Sequence, residues 1–228
     1  MLILTDAGHQ QAINPILKML GIKAVDGSLA QDRPGYPTSS IWCEATDTAA
    51  AILKGAFRSM KQRGIFVSMD GAAALVQTAD MGYAVLPQLT ALSWTELSDY
   101  DPETERAVMD GNEKLEENVT AMMLTRIVGE RCQKILVCGD ADCISNKELQ
   151  MLNLRRGARF ANGSTASAVM RWLSDGRFPI VVDRPPYEDK DILVTPLQLV
   201  TILDIYKIFI PLLLALAGIV TLALRRRH

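Results

Sequence analysis

Apolar positions along this chain fall into short β-rich runs separated by stretches with a helical period. Leu2-Ile3-Leu4 predicts a buried strand, with a loop over Thr5–Ala12. Asn14-Pro15 predicts a helix start, with Asn14 as N-cap and Pro15 at the first helical position. Its stripe is Ile16, Leu17 and Leu20, and Gly21 stands where a left-handed C-terminal residue belongs. Ile22–Val25 predicts a short extended segment, and residues 27–40, rich in Pro, Gly and Ser, a surface loop. Thr46 or Asp47 predicts the cap of the next helix, with Ile52, Leu53, Ala56, Phe57 and Met60 on its apolar face and Gly64 at its end. Ile65-Phe66-Val67 then reads as a strand, Gly71–Ala79 as a short helix and Tyr83–Leu86 as a strand.

Ser98–Asn118 holds eight acidic residues against two basic ones, which predicts a solvated loop or frayed helix. Val119, Met122, Met123 and Ile127 predict a helix, and Lys134–Cys138 is the clearest strand in the chain. Ser164 predicts the cap of a helix with Thr165, Ala168, Val169, Trp172 and Leu173 on one face. Ile180–Val182 is the last strand candidate, and Asp183–Asp191 leads away from it. Strands alternating with amphipathic helices predict an α/β fold, a mostly parallel sheet flanked by helices. No internal repeat is visible.

The pattern changes at the C-terminus. Ile208–Leu224 is an uncharged apolar run of 17 residues, closed by Arg225, Arg226, Arg227 and His228. A bilayer core needs roughly 20 apolar residues in helix, with a lower limit near 17. Tyr206 and Lys207 extend the run toward an interface, so the pattern predicts a transmembrane helix over 206–224. Residues 225–228 would be a cytoplasmic basic tail, with the three arginines as the topology signal. Residues 1–190 would then be an α/β domain outside the cytoplasm, joined by a membrane-proximal segment over 191–205. MLILTDAGHQ has neither a basic nor an apolar leader region, so the chain reads as the C-terminal part of a longer protein. Ala215 and Gly218 offer a small-residue patch for packing against another membrane helix.

Composition narrows the chemistry. Net charge is −2 and the pI near 5.7, which leaves no electrostatic footprint for nucleic acid. Cys43, Cys132, Cys138 and Cys143 are too few for a disulfide scaffold, and their spacing fits no zinc pattern; one disulfide is compatible with an oxidising compartment. Two sequons, at Asn118 and Asn162, read as helix starts. Gly139-Asp140-Ala141-Asp142 follows the Lys134–Cys138 strand, with Ser145-Asn146 behind it. Ligands of open α/β sheets bind beyond strand carboxyl ends, so Asp140, Asp142 and Asn146 form the one loop where a site is expected. The ordinary role of such aspartates is to accept backbone N–H groups. His9 lacks a recognisable nucleophile partner, and no P-loop, dinucleotide fingerprint or H-E-x-x-H occurs. Trp94, beside Ser93 in a Ser/Thr-rich turn, reads as a packing residue.

Five segments, in order, resemble the GldG-like auxiliary components of ABC transporters associated with bacterial gliding motility. They are Asn14–Leu17 with Leu20-Gly21-Ile22 and Gly27, Thr90–Trp94, Ile135–Asp142 with Ser145-Asn146, Asn162 through Leu173, and the ending with Ile210-Pro211, Gly218 and Arg225–Arg227. Cys143 departs from the apolar residue usual in that family, and the acidic stretch 98–118 is longer. The resemblance implies a three-layer fold related to glutamine-amidotransferase-like and flavodoxin-like domains. It also implies a non-catalytic accessory subunit, without cofactor or metal, working outside the cytoplasm on the inner membrane beside an ABC permease and ATPase. An extracytoplasmic ligand-binding sensor is the alternative, and a membrane-tethered metal- or Cys-dependent hydrolase a further one.

Overall fold

The computed structural model describes residues 1–97, 106–146, 148, 160–179 and 203–225. It contains two compact units, Met1–Val181 and Val182–His228. In the first, the elements in chain order are β1 (Leu2–Leu4), α1 (Gln10–Lys18), β2 (Ile22–Ala24), β3 (Ser28–Ala30) and β4 (Ser40–Ala45), then α2 (Ala50–Leu53) and α3 (Gly55–Arg63). There follow β5 (Val67–Asp70), β6 (Leu75–Gln77), β7 (Ala84–Glu96), β8 (Glu116–Val128), β9 (Arg131–Cys138) and α4 (Asn162–Leu173). The main sheet runs β1-β9-β8-β7-β4-β5, with β3 beside β7, and curls into a half-barrel; β2 and β6 form a separate ribbon.

This corrects the expected mostly parallel three-layer sheet. Among the paired strands only β1 and β9 run parallel, with Leu2, Ile3 and Leu4 opposite Leu136, Val137 and Cys138. The long β7, β8 and β9 are antiparallel neighbours. The cause lies in 116–128, where Val119–Ile127 was expected to be helical. Residues 121–124 are buried on both sides of a central strand, so the apolar run carries no period of two. Val119, Thr120, Thr125, Ile127 and Val128 are β-branched and suit a strand. Gly129-Glu130 then reverses the chain in two residues, with Val128 opposite Arg131, and a two-residue turn joins only antiparallel strands.

Alternation along these strands builds two cores. Ile135 and Val137 of β9 and Met122 and Leu124 of β8 face Ile3, Leu17, Leu20, Ile22 and Leu75. Leu136, Cys138, Ala121 and Met123 face the opposite way, toward Ile52, Leu53, Met60 and Val169 of the helices. Helix α4 uses the expected stripe, with Val169 buried and Ala168, Trp172 and Leu173 packed beside it. Between the sheet and α4 lies an apolar cavity of about 50 Å³, lined by Ala121, Leu136, Val67, Ala166 and Val169 among others.

Other expectations shift for local reasons. Helix α1 begins at Gln10 and contains Pro15, because Asn14 is occupied elsewhere. Its amide donates to the Ala24 carbonyl at 3.0 Å and its Oδ1 accepts the Ala24 N–H at 2.8 Å, which pins α1 to β2. The expected helix over 46–64 is broken into a 3-10 turn, α2 and α3, with Lys54 at positive φ between the last two; Gly64 ends α3 in the left-handed region. The expected helix at Gly71–Ala79 is an extended stretch containing β6, and the 27–40 loop contains β3. Asn118 lies in β8, whereas Asn162 does open a helix. Trp94 lies buried within β7, its indole N–H donating to Glu96 at 3.3 Å. Ile180–Val182 and Asp183–Asp191 lie outside the described residues.

In the second unit, a π-helical stretch Ile205–Phe209 precedes α5 (Ile210–Arg225). The α-helical part has 16 residues, about 24 Å at 1.5 Å per residue, against a hydrocarbon core of about 30 Å. Among the described residues no helix is long and apolar enough to cross a membrane. The expected transmembrane helix over 206–224, and with it the single-pass placement in the inner membrane, is thereby corrected. The apolar run is long enough in residues, but the change of helical pitch at 205–209 leaves it without one continuous α-helix of that length. Ala215 and Gly218 lie on α5, where the Gly218 carbonyl accepts the Thr221 hydroxyl at 2.8 Å. Arg225 ends the helix, and Arg226 and Arg227 lie outside the described residues.

Candidate functional site

The curl of the sheet brings its two edge strands together at one end. The loop after β1 meets the loop after β5, with the Ala7 N–H donating to the Gly71 carbonyl at 3.1 Å. The loop after β9 fills the junction. The Gly139 N–H reaches the Thr120 carbonyl at 2.8 Å, and the Gly139 carbonyl accepts the Ala73 N–H at 2.7 Å. A Cβ at position 139 would stand 2.0 Å from the Ala73 carbonyl oxygen, so only glycine allows this approach.

Asp140 is wholly buried in this seam. One carboxyl oxygen accepts the Asp142 N–H at 2.7 Å, which closes the turn in the ordinary way of a loop aspartate. The other oxygen has no partner among the described residues. Burial, with Asp6, Asp70 and Asp142 close by, pushes the Asp140 carboxyl up to about 8 against the pull of the Asp142 amide. Near neutral pH this residue is therefore largely a neutral acid.

The remaining expected residues do not converge on it. Asp142 and Asn146 are both exposed, so the loop presents one aspartate inward and two polar groups outward. Asp6 supplies what Asp142 does not, accepting the Ala141 N–H at 2.7 Å. Among the described residues, no group of three or more His, Cys, Asp or Glu is placed to hold a metal ion. Asp6 and Asp70 were missed in the sequence, although a signal was there: each follows or ends a short apolar strand, as Asp140 does after β9. Nothing local says that the three strand ends meet.

Asn162 locks the seam from the helical side. Its Oδ1 accepts the Ser68 N–H at 3.0 Å, and its amide donates to the Ser68 and Cys143 carbonyls, each at 2.8 Å. One side chain thus ties β5, the turn after β9 and the start of α4. Three cysteines gather beneath. Cys138 and Cys143 stand with their sulfurs 3.7 Å apart, Cys143 also reaches the Asp140 carbonyl at 3.2 Å, and Cys43 accepts from the Thr120 hydroxyl at 3.3 Å. Burial pushes the Cys43 thiol up, and the contact with Cys138 together with burial does the same to Cys143. That is the opposite of what a nucleophilic thiolate needs. His9 is exposed at the start of α1, and none of its described hydrogen bonds reaches a cysteine.

No family model matches this chain, and no curated protein matches it.

Proposed function

We propose that this chain is a non-catalytic accessory module of an ABC transport system of the gliding-motility type, acting by association with the system's permease and ATPase. The observation that carries this reading is the use made of the residues in the segments that bear the resemblance. Asn14, Gly139 and Asn162 each hold backbone of separate elements together, and Asp140 closes the turn between β9 and the residues that follow. Residues so used fix a shape for a partner to recognise. The thiols raised by burial argue in the same direction, because they disfavour nucleophilic chemistry at this end of the sheet. These residues contain no phosphate-binding loop, so the reading assigns nucleotide-driven work to the system's ATPase.

The test is co-expression of the tagged chain with the permease and ATPase of an ABC system from its own genome. Both should co-purify in fixed ratio through size exclusion. Partners that are present in the extract but absent from the purified complex would refute the proposal.

A further inference from the structure

We propose that Cys138 and Cys143 are a modification site, a dithiol that closes to an intrachain disulfide around the Gly139–Asp142 loop. Three features of the fold carry this. The two sulfurs already face each other at 3.7 Å, and a disulfide needs about 2.05 Å, a closure within reach of side-chain rotation and a small shift of the turn. The residues differ in anchorage: Cys138 ends β9, fixed by parallel pairing with Leu4, whereas Cys143 lies in the single 3-10 turn Asp142–Ile144. Closure draws on the Cys143 side chain and its short turn, whose Cys143 carbonyl is held by the Asn162 amide at 2.8 Å. The third buried cysteine, Cys43, is engaged by the Thr120 hydroxyl, which leaves Cys138 and Cys143 as the facing pair.

The chemistry balances with a small-molecule disulfide such as oxidised glutathione as oxidant. One cysteine gives up its proton and attacks a sulfur of the oxidant, whose S–S bond breaks to release a first thiol. The second cysteine, deprotonated in turn, attacks the resulting mixed disulfide, forms the intrachain S–S bond and releases a second thiol. Two electrons pass from the cysteine pair to the oxidant, and the two protons end on the released thiols. Burial of both cysteines makes the first step slow, because the thiolate is the nucleophile, so exchange follows opening of the 3-10 turn. Once closed, the bond removes the Cys143 thiol hydrogen from the Asp140 carbonyl and stiffens the loop that holds Asp140.

The experiment uses the full chain carrying Cys132→Ser, which removes the exposed thiol and leaves Cys43, Cys138 and Cys143. After prolonged incubation with oxidised glutathione, the protein is denatured in acid and alkylated. The expected product is lighter by two hydrogens before alkylation and takes one label, on Cys43, instead of three. Peptide mapping should join Cys138 to Cys143, and adding Cys143→Ser should abolish the loss of two hydrogens. Three labels after oxidation, or a map joining Cys43 to either partner as the main product, would overturn the assignment.

Discussion

Asp140 and Asn162 are buried polar side chains on opposite sides of one seam, and their energetics differ. Both are buried, but Asn162 fastens separate pieces of backbone whereas Asp140 closes its own turn through the Asp142 N–H. Asn162, a neutral amide, has donor and acceptor engaged by Ser68 and Cys143. Asp140 satisfies one oxygen and leaves the other without a partner among the described residues, close to three further carboxylates. A neutral amide joins strands at no electrostatic cost, whereas a carboxyl in the same setting keeps its proton and makes the joint sensitive to pH.

The largest effect should come from the satisfied side. Asn162→Ala strands the Ser68 N–H and two buried carbonyls, and should cost about 3–5 kcal/mol. Urea unfolding of the purified chain measures it. A loss below about 1 kcal/mol would mean that the Asn162 bonds are not what closes the seam. Gly139→Ala attacks the same joint from the Asp140 side, since its Cβ would meet the Ala73 carbonyl backbone rather than a flexible side chain. We expect a loss of about 3 kcal/mol, near the upper end for overpacking, read in the same unfolding assay.

The pH dependence tests the contrast itself. The Asp140 carboxyl is raised in the folded state, so its contribution is fully present below its unfolded value near 4 and is lost as pH rises toward about 8. Within that window stability should fall by about 1.4 kcal/mol per pH unit. Asp140→Asn places an amide where the acid was and should flatten the slope. An unchanged slope in the variant would assign the proton to another group. The smallest effect is expected from filling space rather than from polar contacts: Ala121→Val adds β-branched volume to a strand facing the cavity of about 50 Å³, and should add about 0.5–1 kcal/mol in thermal unfolding.

Much of the first unit was legible without coordinates. The strand at Lys134–Cys138, the α4 stripe, the Gly64 helix end and the loop aspartate at 140 all follow from local chemistry. Hydrophobic period, a left-handed glycine and a strand-end carboxylate act within a few residues of themselves. The misreadings arose where a local rule had two solutions. Residues 119–127 satisfy a helical stripe and a doubly buried strand equally well, and only pairing with β7 and β9 chooses between them. Asn14 reads as an N-cap until Ala24 claims its side chain.

The sequence by itself determined the strand at Lys134–Cys138, the buried stripe of α4, the Gly64 helix end and that Asp140 would sit at a strand end. Tertiary structure alone decided that β1 and β5, at opposite edges of the sheet, curl round until Ala7 bonds Gly71. It alone buried Asp140 and placed Asp6 and Asp70 close by, which together raise its carboxyl. The reason is range: propensity and periodicity act over a turn or a strand, whereas the charge felt by Asp140 depends on residues more than sixty positions away, brought close by the curl of a sheet that no segment encodes alone.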